Sequence, residues 1–135
     1  MRLTPSRRTI AVLAVAVTLS GCDDSLAPSR VVILPITRLD APASVDPAGT
    51  LVGQVTVESG GCRRFDRLQT TRASGRVTIR AIGRDASGPD VLCTGDIQYT
   101  VVEYRADGPF TDPFLVVGIQ PDGEEMRRLV RVLTP

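Results

Sequence analysis

The 135 residues contain no histidine, no lysine and no tryptophan. Without histidine there is no Ser-His-Asp or Cys-His arrangement and no imidazole metal site. The three cysteines, Cys22, Cys62 and Cys93, include no C-x-x-C spacing, which removes the usual dithiol redox and zinc motifs. Aromatic residues make up 4% of the chain, too few to interleave with basic residues as stacking platforms for nucleic-acid bases. All 16 basic residues are arginine, which reflects a GC-rich coding bias before it says anything about function. No 3.6-residue apolar periodicity lasts a dozen residues, so a helical domain is not expected.

What is there begins with a positive stretch, Arg2, Arg7 and Arg8, followed by an uncharged apolar run of ten residues, Ile10 to Leu19. Ten helical residues cover about 15 Å, half of the roughly 30 Å of a bilayer core, so the run reads as a secretory signal helix and not as a span. It ends in Leu19-Ser20-Gly21-Cys22, which resembles the lipobox of bacterial lipoproteins: an aliphatic residue, two small residues, then cysteine. The resemblance covers residues 1–22. It implies cleavage before Cys22, a diacylglyceryl group on the Cys22 thiol and acylation of the new amino group, palmitate being the usual acid. Two or three acyl chains anchor stably where one binds only marginally. Asp23 follows the cysteine, a residue that in enteric bacteria tends to keep a lipoprotein in the inner membrane; both the cell membrane and the outer membrane stay open.

On that reading the mature chain has 114 residues, one domain's length, and its 13 arginines face 15 acids for a net of −2. Nothing in that balance calls for nucleic acid. With Cys22 lipidated, Cys62 and Cys93 remain together outside the cytoplasm, where a disulfide is the default. It would close a loop of about 30 residues, worth roughly 3 to 4 kcal/mol in the chain-entropy model.

Residues 22–30 read as lipidated cysteine and tether. From Val31 onward, short apolar runs alternate with turn residues, the pattern of an all-β domain over residues 31–135. Val31 to Ile36 is a first strand broken or placed at an edge by Pro35. Ala41-Pro42-Ala43 and Asp46-Pro47-Ala48-Gly49 are turns. Thr50 to Glu58 is a strand with Leu51, Gly53, Val55 and Val57 on one face. Arg64 to Arg72 is a strand with only Phe65 and Leu68 as apolar anchors. Arg76 to Ile82 alternates Val77, Ile79 and Ala81 with Arg76, Thr78 and Arg80. Val91-Leu92-Cys93 leads into a strand from Ile97 to Tyr104, whose apolar residues fall on both faces and suggest a bulge or burial on both sides. Phe114 to Ile119 reads as a central strand, and Pro121-Asp122-Gly123 turns it into a last strand, Met126 to Leu133.

About seven strands with turns every 8 to 12 residues fit a two-sheet sandwich. The Ala-Pro turn before the Val-rich strand and the final strand, Pro-Asp-Gly, strand hairpin resemble the immunoglobulin-like or fibronectin type III-like β-sandwiches of bacterial lipoproteins. That resemblance, over residues 31–135, implies a single antiparallel sandwich. The chain departs from antibody-type domains in having no tryptophan and in placing Cys62 beside a turn, so the bridge to Cys93 is expected to staple loops or strand ends.

Arg63, Arg64, Arg67, Arg72, Arg76, Arg80 and Arg84 stand against Asp66 alone in residues 63–84. Arg76 and Arg80 share an outward face, to which the neighbouring strand can add Arg63, Arg64 or Arg67. Such a face can bind an anionic lipid or glycan, or it can be solvated and paired across strands with Glu58, Glu103 and Asp96. Glu124-Glu125 point to opposite faces of a strand and do not converge as an acid and base. Asp107, Asp112 and Asp122 lack the dense spacing of a calcium loop. The expectation is a lipid-anchored cell-envelope protein facing out of the cytoplasm. It is a non-enzymatic interaction or structural module with no metal and no cofactor, partnered by the membrane through Cys22. An envelope protein is a further expected partner, and binding of an anionic lipid or glycan through the arginine face is the alternative. Intact-mass spectrometry of the chain extracted from membranes checks the anchor: the product starts at Cys22 and is heavier than its peptide by diacylglyceryl and acyl groups. A product starting elsewhere, or carrying an unmodified Cys22, contradicts it.

Overall fold

The computed structural model describes residues 28–134. The signal sequence, Cys22 and most of the tether therefore lie outside the described residues. Within them the chain forms nine strands and no helix: β1 (Arg30–Leu34), β2 (Ile36–Asp40), β3 (Ser44–Val45), β4 (Thr50–Ser59), β5 (Arg63–Ala73), β6 (Arg76–Asp85), β7 (Gln98–Asp107), β8 (Phe114–Ile119) and β9 (Glu125–Val132).

Pro35 breaks the first strand, as its missing amide hydrogen requires, and the two halves enter different sheets. β1 pairs with β6, and β2 pairs with β4 in the three-stranded sheet β2-β4-β7. The break leaves the amide and carbonyl of Ile36 without a strand partner on one side. The Gln120 side chain takes both, its Oε1 accepting from the Ile36 amide at 3.1 Å and its Nε2 donating to the Ile36 carbonyl at 2.8 Å. Leu34 and Ile36 are both buried, because the chain passes through the core on its way from one sheet to the other.

The larger sheet runs β5-β6-β8-β9-β3, with β1 also on β6. β5 covers one edge of β6 from end to end, so β8 and β1 share the other edge, β8 along Arg76 to Arg80 and β1 along Ala81 to Asp85. The sheet is not purely antiparallel as expected: β6 and β8 are parallel, and so are β3 and β9. The reason is the route of the chain. β7 leaves for the smaller sheet, and β8 returns to lie beside β6 in the same direction.

The inner faces meet in one core, with Leu39, Leu51, Val55, Val57 and Tyr104 from the smaller sheet against Val77, Ile79, Phe114, Val116 and Val130 from the larger. Each such side chain contributes about 1.5–3 kcal/mol by leaving water. The alternation expected in β4 holds along its length. Gly53 is buried there because the Tyr104 ring crosses over it to donate its hydroxyl to the Asp40 carbonyl of β2 at 2.8 Å. A Cβ at 53 would overlap both the Tyr104 hydroxyl and the Asp40 carbonyl oxygen.

The register bears out one strand reading, with a bulge added, and corrects another. β5 carries a bulge between Phe65 and Arg67, and the extra residue, Asp66, lets Phe65 and Leu68 face the core although they are three apart. β7 has no bulge: its pairing with β4 is continuous from Thr50↔Asp107 to Ser59↔Gln98. Its inward side is Thr100, Val102, Tyr104 and Ala106, while Tyr99 and Val101 face solvent, so it is not buried on both sides. Val91-Leu92-Cys93 belongs to an irregular exposed segment and not to a strand approach.

Gln120→Ala strips both partners from Ile36 and is expected to lower stability by about 1–3 kcal/mol. Gly53→Ala, through overpacking against Tyr104, is expected to cost a similar amount, about 1–3 kcal/mol. Urea midpoints at constant slope check both; a wild-type midpoint in Gln120→Ala would mean that water, and not Gln120, satisfies the strand crossing.

Candidate functional site

In β6 the residues that face the core are Val77, Ile79, Ala81 and Asp85, so Arg76, Arg80 and Arg84 emerge together on the outer side of the larger sheet. β5 places Arg64 opposite Arg84 and Arg67 opposite Ile82 on that same side, the bulge at Asp66 bringing the two arginines to one face. All four expected residues, Arg64, Arg67, Arg76 and Arg80, thus share one surface with Arg84. Arg63 does not join them. It sits opposite Asp85 on the inner side.

β9 enlarges the face. Met126, Val130 and Val132 turn inward, so Arg127, Leu129 and Arg131 turn outward beside β8. The signal was already in the sequence, as Arg127 and Arg131 alternate with inward residues just as Arg76 and Arg80 do. The outer surface therefore carries seven arginines against Glu125 and Asp66, leaving five uncompensated positive charges. Arg67 and Arg84 reach Asp66 at 2.6 and 3.9 Å, and Arg127 reaches Glu125 at 2.7 Å. Arg64, Arg76, Arg80 and Arg131 have no carboxylate within 4.0 Å among the described residues. The expected cross-strand partners are elsewhere. Glu58 and Glu103 lie on the smaller sheet, and Asp96 is in the loop before β7.

Between the arginines runs an aliphatic stripe. Cross-strand pairing sets Ile33 beside Ile82, Arg80 beside Ile119, Thr78 beside Val117, and Leu115 beside Leu129. Val117 is fully buried although it is on the outer side, between Thr78 and Arg127 in the register. Val31 and Leu129 remain 66% and 65% exposed. Arg64 and Arg84 are directly opposed like charges, an arrangement that costs stability in a sheet, and they border a hollow of about 240 Å³ with Asp66 and Phe65.

The other arginines of the run have structural work. Arg72 donates to the Pro109 carbonyl at 2.7 Å and stacks over the Phe110 and Phe114 rings at 4.6 and 4.4 Å. Arg63 and Arg30 approach buried Asp85 at 3.7 and 3.5 Å. The Ser87 hydroxyl and amide hold the Asp85 carboxyl below its ordinary value, with Arg30 and Arg63 adding to the effect.

The disulfide between Cys62 and Cys93 is formed, with Cα atoms 5.0 Å apart. It joins the β4–β5 turn to the exposed segment before β7, as a staple of loops. A polar cleft of about 550 Å³ beside it is lined by Ser59, Gly61, Thr94, Asp96 and Gln98 among others. Asp96 is held below its ordinary value by the Thr94 hydroxyl, the Gly61 amide and Gln98, so it stays ionised and is a poor proton donor near neutrality. Burial, with the charge of Asp40, pushes the Tyr104 hydroxyl up to about 12. Asp107, Asp112 and Asp122 accept from Thr50, from the Val132 amide and from the Glu124 amide, three separate local roles. Glu125 pairs with Arg127.

Comparison with protein-family models, with curated proteins and with solved structures finds no match for this chain. The reading of the site rests on its own geometry.

A carboxyl with a depressed folded value adds stability above its ordinary value, 3.8, and loses it as pH falls through the folded value. Asp85→Asn is therefore expected to flatten the loss of stability between pH 5 and pH 2, read as urea midpoints across that window. An acid slope as steep as the wild type's would exclude Asp85 as a contributor.

Proposed function

We propose that this chain is a lipid-anchored, non-enzymatic module of the cell envelope whose contact surface is the outer face of its larger sheet, and that this face selects anionic partners. The observation that carries the reading is the partition of charge between the two sheets. The outer side of the larger sheet has seven arginines against two carboxylates. That of the smaller has Arg38 and Arg105 against Asp40, Glu58, Glu103 and Asp107, with both arginines already in ion pairs at 2.7 and 2.8 Å. One side of the domain is basic and the other slightly acidic, which orients it in the field of an anionic surface. The lipobox supports the address. The two-sheet packing and the first strand split between sheets support an immunoglobulin-like ancestry, from which the parallel β6–β8 pair would be a departure.

The alternative within the same class is an envelope-structure module in which the arginines only keep the face solvated. A charge-matched comparison separates the two. Arg76→Ser/Arg80→Ser is expected to elute from a polyanionic polysaccharide matrix at clearly lower salt than Arg38→Ser/Arg105→Ser, although both lose two positive charges. Identical elution of the two variants would contradict a localised anion-binding face.

A further inference from the structure

We propose that the occupant of the arginine face is the surface of the membrane that carries the anchor, with the larger sheet lying flat on anionic phospholipid head groups. This rests on the anion-binding reading above and names its partner.

Three observations favour a bilayer over a soluble polyanion. The first is the interleaving of charge with aliphatic surface. Val31 and Leu129 are about two-thirds exposed, near two different ends of the face, and Leu115, Ile119 and Ile33 are half-buried between the arginines. A glycan or an acidic peptide matches the charge and leaves these side chains in water. A membrane interface takes both, because guanidinium groups bind phosphates while aliphatic side chains reach the acyl boundary.

The second is where the tether enters. Seven residues, Asp23 to Ser29, separate Cys22 from Arg30 at the start of β1, a reach of at most about 26 Å between the two Cα atoms. β1 is itself a strand of the larger sheet, and its Val31 lies beside Arg84, which lies opposite Arg64. The anchor thus feeds into the rim of the basic face and not into the smaller sheet. β6, with ten residues at about 3.3 Å each, is about 33 Å long, longer than the tether. A lipid at Cys22 therefore keeps the Arg64–Arg84 end close to the head groups.

The third is the opposed pair Arg64 and Arg84 around a hollow of about 240 Å³. Arg84 has Asp66 within 3.9 Å while Arg64 has no carboxylate within 4.0 Å among the described residues, so the pair keeps one net positive charge for a lipid phosphate.

The absence of tryptophan makes the test clean, since one introduced indole is the only one in the chain. The lipidated chain carrying Leu129→Trp is reconstituted in vesicles of phosphatidylglycerol and phosphatidylcholine with brominated acyl chains. In parallel, Val101→Trp reports the exposed side of the smaller sheet, and Val31→Trp is a second reporter at the anchor end. The expected result is a blue shift and bromine quenching for Leu129→Trp and Val31→Trp, reversed by high salt and lost in phosphatidylcholine alone, with water-like emission from Val101→Trp throughout. Water-like emission from Leu129→Trp, or equal quenching of Val101→Trp, overturns the proposal. If that happens while Arg76→Ser/Arg80→Ser still elutes early from the polyanion matrix, only the membrane assignment falls. If the elution difference is absent too, the anion-binding reading falls with it.

Discussion

Pro35 has no amide hydrogen to give a neighbouring strand, and the division of the domain into two sheets depends on that missing donor. A continuous first strand would serve one sheet. Broken at Pro35, it serves both: β1 extends the larger sheet and β2 closes the smaller, while Leu34 and Ile36 fill the core between them. Gln120 makes the crossing affordable by standing in for a strand at Ile36. The placement of β1 along the far half of β6 leaves the near half for β8, so the order of the sheet follows from the same break. It also puts Val31 and Ile33 on the basic face, which joins the tether to the surface argued to bind.

Much of this was legible in the sequence, because much of it is period-two patterning. The alternations in β4, β6 and β9 are explicit, and the break at Pro35 follows from proline chemistry alone. The disulfide was legible by compartment and count, given the lipobox reading. What escaped was non-local. Whether β8 returns parallel or antiparallel to β6 depends on where β7 goes, and no residue of β6 or β8 encodes that. Phe65 and Leu68 look incompatible with one face until the register with β6 reveals the bulge at Asp66. In β7 the apolar residues fall on both sides, and only the sheet order shows that Tyr99 and Val101 face solvent.

For the site, residue type was readable and neighbourhood was not. Arg64, Arg67, Arg76 and Arg80 were visible as a charge run, yet the same run held Arg63 and Arg72, which serve Asp85 and the phenylalanine pair. Arg127 and Arg131 lie far along the chain and reach the face only because β9 pairs with β8. The acids named as cross-strand partners of the run, Glu58, Glu103 and Asp96, are sent by the fold to the other sheet and to a loop. The result is a domain with one basic, partly aliphatic side and one mildly acidic side, whose first strand begins at the rim of the basic one.

The most direct measurement of that arrangement is a guanidinium-modification footprint of the lipidated chain on anionic vesicles, read residue by residue by mass spectrometry. The account predicts that Arg64, Arg76, Arg80 and Arg131 lose reactivity on the membrane while Arg38 and Arg105 keep it. Equal reactivity on the two sides, or protection of Arg38 and Arg105 instead, would contradict it.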